Sequence, residues 1–520
     1  MTDLAHVTRW TTLALSLSLT ACAASPASAP LPTPEQPLNG LDSYIEQAVE
    51  EWGIAGLAIA IVDDDSIVFA EGYGVRDVRT GEPVDENTVF AIGSNSKLFT
   101  SVSTGMLVDE GVMDWSDRAT EHLPAFQLYD PYVTREIRIR DLLSHRSGLG
   151  LRGDLLWYGS DLNREEILRQ IRYLEPNSSF RSEFGYQNIM FLAAGEALAN
   201  AAGTTWDDFV EQNIFTPLGM ERSTTSPVPL EQMQNVAQPH VNEDGQLIPV
   251  PYRNIDNVAP AGSINSSVID MAQWLRMLLN EGTYEGQVLV DTATLAEIMS
   301  PHTIMGAPSD SLFPSTHFLS YGMGIVVQDY RGAKVGWHTG GIDGMLSLVA
   351  LLPEEEVGVV ILTNSMGHNN LFTALMYRVL DAYLGAPPRD WSGIFLDQTL
   401  KAEAGAAERA LEAEAARVTG TTPSLPLAQY VGTYSDEMYG DLEIRQGDGG
   451  LTLHKGSTFV ADLEHWHYNT FKANWRDGAG LVGDVLSTIV FELNARAEVE
   501  SLEIPGLEDF ERVDDEEAQG

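Results

Sequence analysis

Ser94 and Lys97 stand three residues apart in Phe90-Ala-Ile-Gly-Ser94-Asn-Ser-Lys97, and Lys97 is the one lysine among the first 333 residues. The whole chain has only five lysines. A serine in the first turn of a helix and a lysine one turn on share a face. That pairing sets a hydroxyl nucleophile beside an amine that can take its proton. The segment from Leu98 to Met106 lacks Pro and reaches Gly only at Gly105, so it reads as the helix itself. A helix N-terminus is electropositive, and desolvation adds to its effect; both favour a neutral lysine. Taken alone, the tetrapeptide also fits a capping serine and a solvated lysine.

Three further groups of residues bear on that choice. Asp141 and His145 lie one helical turn apart, and Ser147-Gly148 would end their helix. The expected role for His145 is to hold a loop by hydrogen bonds, with direct catalysis as the other reading. Phe184-Gly-Tyr186-Gln-Asn188 follows, and then Gly336-Trp-His338-Thr339-Gly340-Gly341-Ile342 before a strand. In this order the set resembles the family of class C β-lactamases, penicillin-binding D,D-peptidases, D-aminopeptidases and β-lactamase-like esterases.

The resemblance covers about residues 38–386 and implies a role for each position. Ser94 is the nucleophile, and Lys97 with Tyr186 is its general base and later acid. Asn188 orients the substrate amide. The backbone N–H groups of Ser94 and Gly341 form an oxyanion hole. His338, Thr339 and Gly340 line an edge strand beside the nucleophile and contact substrate. The family's lysine at that strand is here His338, a weaker anion anchor at neutral pH. Its expected task is contact with a substrate carboxylate or support for Tyr186. Phe215-Thr-Pro-Leu-Gly-Met220 and Pro260-Ala-Gly-Ser-Ile-Asn265 match structural segments of the family, with no chemistry assigned. No cofactor and no metal are expected, since no His-Glu-x-x-His occurs and no phosphate loop stands out.

The elements that must position these residues read as an α/β (α+β) domain over 38–386. It has an antiparallel sheet, helices on both faces and a helical insert over roughly 110–300. Leu57–Val62 and Ser66–Ala70 form a hairpin about the acidic turn Asp63-Asp-Asp65. Strand signals return at 324–328, 345–352 and 358–363, and a helix at 371–384 closes the domain. Residues 387–425 read as a linker, with an Ala/Glu-rich helix over 401–418. Short alternating runs at 442–444, 451–453, 488–491 and 499–504 predict a small antiparallel β-barrel over 426–515, ahead of an acidic tail at 516–520. Leu427-Ala-Gln-Tyr430 and His465-Trp-His-Tyr resemble a lipocalin-like module. The His465/His467 pair, with His454 nearby, reads as strand residues rather than a metal site.

Composition narrows the partners. Seventy-five acidic against 30 basic residues give a net charge of −45, so no basic surface exists for nucleic acid. The sole cysteine, Cys22, follows a short apolar run and Leu19-Thr20-Ala21, a context that resembles a bacterial lipobox. The expectation is a signal peptide over 1–22, lipid on Cys22 and a flexible tether over 23–37. That makes the chain an exported, lipid-anchored, periplasm-facing protein, at the outer membrane because Ala23 rather than Asp follows the cysteine. The expected activity is serine hydrolysis of small amides, short peptides or esters, as in D-aminopeptidases and esterases. A β-lactamase or D,D-carboxypeptidase is the alternative, and a non-hydrolytic binding lipoprotein is the reading from another class.

Overall fold

The computed structural model describes residues 37–513, apart from 244, 307–311, 314, 448, 457, 477–485 and 508. Cys22, the signal segment, most of the tether and the acidic tail lie outside the described residues. No helix among the described residues is long and apolar enough to cross a membrane.

Eight strands build the large sheet: β1 (Gly56–Asp63), β2 (Ser66–Gly74), β3 (Thr303–Gly306), β4 (Leu319–Tyr321), β5 (Val326–Tyr330), β6 (Ala333–Ile342), β7 (Met345–Leu352) and β8 (Val357–Thr363). Their order is β2-β1-β8-β7-β6-β5-β4-β3, antiparallel throughout. The N-terminal hairpin thus completes a sheet whose other strands come from after residue 300. β1, β7 and β8 are apolar at nearly every position because both faces are covered. Leu57, Ile59 and Ile61 point to one core, and Ala58, Ala60 and Val62 to the other.

Helices α1 (Leu41–Trp52), α5 (Leu371–Tyr383) and the first turns of α6 (Trp391–Ala416) fill the first face. The second face carries α2 (Ser96–Asp109), α3 (Asn188–Ala202) and α4 (Val268–Leu279). All residues of α2 from Ser96 to Leu107 are buried, so this is a central helix with no solvent face. Phe99 stacks on Trp274 of α4 at 4.0 Å between ring centroids.

Two expectations change. β6 is not an edge strand, since β5, β4 and β3 lie beyond it. β5, however, pairs only with residues 333–337 of β6. From His338 to Ile342 that side of the strand is left to the nucleophile turn, which supplies the opening an edge strand would give. The linker also starts differently. α6 begins ten residues earlier than its Ala/Glu-rich stretch suggests, because Trp391 is fully buried and its Nε1 donates to Asp381 Oδ2 at 2.8 Å.

Strands Gly432–Asp436, Gly440–Gly447, Gly450–Lys455, Phe459–His467, Thr470–Trp475, Thr488–Leu493, Val499–Glu503 and Phe510–Arg512 close into an eight-stranded antiparallel barrel. Alternate residues such as Leu442, Ile444, Leu451, Leu453, Phe471 and Phe491 form its interior. His465 and His454 sit on these strands. No cluster of three or more His, Cys, Asp or Glu among the described residues could hold a metal.

Asp141 and His145 do not act as a pair. Asp141 is fully buried and accepts from Arg146 Nε at 2.6 Å, from Arg181 Nη2 at 2.6 Å and from the Arg138 N–H at 2.9 Å. These bonds clamp the 145–150 loop to the 177–187 segment, where backbone bonds join Arg181 to Arg146 and Gly185 to His145. Removing the carboxylate takes the shared acceptor from two partly exposed arginines and one backbone N–H, so Asp141→Ala is expected to cost about 2 kcal/mol of stability. Urea unfolding followed by tryptophan fluorescence reads this, and an unchanged midpoint would contradict the clamp.

Candidate active site

Ser94 occupies a 3-10 turn, Gly93–Asn95, that feeds directly into α2. Gly93 has φ +51°, and a Cβ there would lie 2.6 Å from the Gly341 nitrogen. Only glycine lets the nucleophile turn come this close to β6. Gly340 meets a similar limit, since a Cβ would collide with the Ile92 carbonyl. The result brings Ser94 and the exposed Gly341 together in the lining of one cavity. Thr339 is half-buried on the same strand.

Lys97 has no exposed surface. Its Nζ lies 2.9 Å from Ser94 Oγ, 2.7 Å from Asn188 Oδ1 and 2.8 Å from the Ala261 carbonyl. The reading of Lys97 as a solvated surface residue is thereby removed. Two of the three partners can only accept. In its neutral form the amine has two N–H groups and one lone pair, so both protons go to Asn188 and Ala261 and the lone pair faces the serine hydroxyl. Burial lowers the Lys97 amine to about 7, against the opposite pull of Asp154.

Tyr186 donates to Ser94 Oγ at 2.7 Å. Burial raises its pKa far above that of a free phenol, and the hydrogen bond to Ser94 only partly offsets this. The resting site thus holds a phenol, a serine hydroxyl and an amine in one chain of hydrogen bonds. His145 packs its ring 4.2 Å from that of Tyr186 and accepts from the Gln187 N–H through Nδ1 at 3.2 Å. Burial keeps it neutral. It positions Tyr186 by packing, in line with its expected loop-holding role.

His338 is buried, with Nε2 2.9 Å from the Tyr321 hydroxyl and Nδ1 2.5 Å from the Thr339 carbonyl. Burial, with the Lys97 charge, lowers its pKa to about 3. Both ring nitrogens are spent inside the protein. The ring stands 6.5 Å from that of Tyr186 and does not line the cavity. The geometry therefore removes the expected carboxylate contact and leaves His338 among the side chains that back Tyr186.

Two participants escaped the sequence. One is the Ala261 carbonyl, in a segment with no chemistry assigned. The other is Asp154, on the 3-10 turn Leu151–Leu156. Its Oδ2 accepts from Asn188 Nδ2 at 2.9 Å and its Oδ1 from Trp157 Nε1 at 2.8 Å. Burial raises its pKa to about 6, opposed by these bonds and by Lys97. An aspartate in the apolar run Asp154-Leu-Leu-Trp-Tyr158 was the available signal. Asn188 thus joins Asp154 to Lys97, with both ends of its amide engaged. The cavity measures about 180 Å³, with Ser94, Tyr186, Asn188, Asp154 and Gly341 as its polar wall. Leu151, Trp157, Ile255, Val258 and Ile342 make it otherwise apolar.

The profile of the Beta-lactamase family matches residues 41–384. A second profile, a domain of unknown function (DUF3471), matches residues 416–519. The chain is 29% identical to an unguisins hydrolase of Aspergillus violaceofuscus, over 78% of this chain and 76% of that one. It is 28% identical to penicillin-binding protein 4 of Amycolatopsis lactamdurans, over 65% and 90% of the two chains. The octameric penicillin-binding protein homologue from Pyrococcus abyssi superposes with a TM-score of 0.61 at 21% identity, over 90% of this chain and 98% of that chain. The D-amino acid amidase from Ochrobactrum anthropi SV3, solved with L-phenylalanine amide, gives 0.54 at 22%, over 66% and 98%. These two structures share the fold.

Five lysines make the amine titration directly observable. In a 13C spectrum of labelled lysine side chains, the Lys97 Cε signal is expected to titrate near pH 7, well below an exposed lysine. Asp154→Asn removes a charge that raises this pKa, so the midpoint should move down. A Lys97 midpoint near 10 in the wild type would refute the buried neutral amine.

Proposed function

The chain belongs to the Beta-lactamase family, and we propose that it is a serine hydrolase of small amides, short peptides and esters, favouring substrates with an amine near the scissile carbonyl. The family and its hydrolase relatives support hydrolysis in general. One observation carries the substrate preference. Asp154 is the carboxylate of the cavity, whose lining includes no Arg, Lys or His. A carboxylate ionised above about pH 6 suits an ammonium group, whereas a substrate carboxylate finds no counter-charge. Amino-acid amides and short peptides, including those with D-residues from cell-wall material, fit this pattern. The likeness in fold to a D-amino acid amidase agrees with it.

The steps follow from the hydrogen bonds. Ser94 Oγ bonds to the carbonyl carbon as its proton passes to the Lys97 lone pair. The carbonyl oxygen becomes an oxyanion held by the N–H groups of Ser94 and Gly341. Tyr186 is neutral at rest, so Lys97 is the base; as the leaving nitrogen or oxygen takes the Tyr186 proton, the Lys97 ammonium returns the serine's proton to the phenolate, and both groups end neutral. Collapse breaks the C–N or C–O bond and leaves an acyl-serine. Water then repeats the sequence, and the acid product departs with Ser94 restored.

The alternative is a β-lactamase or D,D-carboxypeptidase, supported by the penicillin-binding relative. Penicillins carry a carboxylate, which the neutral, inward-facing His338 does not serve. A non-hydrolytic binding lipoprotein has no use for a buried lysine, whose desolvation opposes folding. Intact mass spectrometry of the full-length protein tests the reading, with a fluorophosphonate, a penicillin and an amino-acid p-nitroanilide as probes. The expected result is a fluorophosphonate adduct on wild type but not on Ser94→Ala, and anilide turnover that rises with pH through about 7 as Lys97 loses its proton. Fast penicillin turnover without anilide cleavage favours the alternative. No adduct on folded wild type favours the binding protein.

The proposed cellular setting is a lipid anchor on Cys22 that holds the enzyme at the periplasmic side of the outer membrane. Expressed in a bacterium that processes lipoproteins, wild type should fractionate with membranes and Cys22→Ala should not. Equal distribution of the two would rule the anchor out.

A further inference from the structure

The segment 151–161 has two faces. One lines the catalytic cavity through Leu151, Asp154 and Trp157. The other meets the C-terminal barrel. Tyr439 donates its hydroxyl to the Arg152 carbonyl at 3.2 Å, and Lys455 Nζ donates to the Leu155 carbonyl at 3.2 Å. Phe459, 2% exposed at the start of its barrel strand, stacks on Tyr158 with 5.7 Å between centroids and 16° between planes. The ring sits so close that a Cβ on Gly159 would enter it. Trp475 packs edge-on against Phe459 from within the barrel module.

The same ring also touches Arg253, which links it to the chain just beyond the cavity residue Ile342. The Arg253 guanidinium lies 5.1 Å from the ring centroids of both Tyr158 and Phe459. Its Nε donates to Asp343 Oδ2 at 2.7 Å, and the Tyr158 hydroxyl donates to Asp343 Oδ1. Asp343 stands two residues beyond Gly341 and directly follows Ile342, a cavity residue. One aromatic side chain of the barrel therefore backs a cluster that ties the Asp154 wall to the end of β6.

We infer that Phe459 is a positioning residue for the hydrolytic site. It fixes the spacing between the wall bearing Asp154 and Trp157 and the strand bearing Gly341, so that the barrel is part of the working enzyme. This rests on the proposed Ser94 chemistry. Catalytic geometry tolerates little error, and a displacement on the order of 1 Å can cost about a hundredfold in rate. Without the ring, segment 152–159 relaxes toward the barrel, away from Ser94 and Lys97.

The test compares full-length wild type with Phe459→Ala, Phe459→Tyr and Gly159→Ala. Three quantities are read: the rate of fluorophosphonate labelling at Ser94, kcat and KM on the anilide, and the Lys97 Cε titration. Phe459→Ala is expected to slow labelling by about tenfold or more. It should also move the Lys97 midpoint in the same direction as Asp154→Asn, because the carboxylate withdraws. Phe459→Tyr keeps the ring and should restore both. Gly159→Ala drives a Cβ against the ring at a backbone φ of +60° and should raise KM, and an unchanged KM in the folded variant would count against the inference. Wild-type labelling, kcat, KM and lysine midpoint in Phe459→Ala would overturn the inference and leave the barrel a mere appendage. If wild type itself is never labelled, the hydrolase reading fails, and the lysine titration, which needs no turnover, still decides the positioning role.

Discussion

Everything near Ser94 is organised around the desolvation of one amine. A lysine sealed from water sheds its proton near neutrality, and its fixed acceptors decide where the lone pair points. Asn188 and the Ala261 carbonyl take the two N–H groups, so the remaining orbital meets the serine. That requirement explains why α2 is buried on every side. It also explains why two distant segments, 186–188 and 260–262, converge at its first turn. Asp154 sets the opposite limit, since its charge keeps the amine from losing its proton too readily.

The sheet supplies rigidity where the amine needs it. Strands from both ends of the domain pair in one antiparallel array, and each face has its own core. On the side away from β7, the catalytic end of β6 has no ladder neighbour because β5 stops pairing at Trp337. A strand that is interior for half its length and open for the rest gives both a fixed position and access.

The periodic parts of this architecture were legible in the residues. The runs at 57–62, 345–352 and 358–363 became strands because their apolar character serves two covered faces. The α2 register was likewise readable as a local pattern, whereas Tyr186 and Gly341 were singled out by the family resemblance of the motif order. What escaped depends on contacts across the chain. Asp154 stands out locally only as an aspartate beside an apolar run, and its approach to Lys97 shows once the wall folds over that amine. For His338 the residues alone left both a substrate-carboxylate contact and support for Tyr186, and the choice turns on Tyr321, 17 residues upstream, whose hydroxyl lies against its Nε2. The start of α6 was hidden because Trp391 owes its burial to an aromatic cluster with Phe313 and Tyr377. The barrel strands at 459–467 and 470–475 mix polar and aromatic residues, so their alternation shows only once the barrel closes.

α6 runs for 26 residues, and its buried positions are confined to Trp391, Ser392 and Phe395. Its remaining turns form a solvated strut about 30 Å long. The barrel is therefore held twice, by this covalent strut and by the contact of Tyr439, Lys455 and Phe459 with segment 152–159. A tethered contact forms at an effective concentration set by its tether, independent of how dilute the protein is. It needs little intrinsic affinity to stay closed. Released barrel and free hydrolase domain would bind each other far more weakly than the intact chain holds them, so a single cut in the strut would separate two modules that otherwise behave as one.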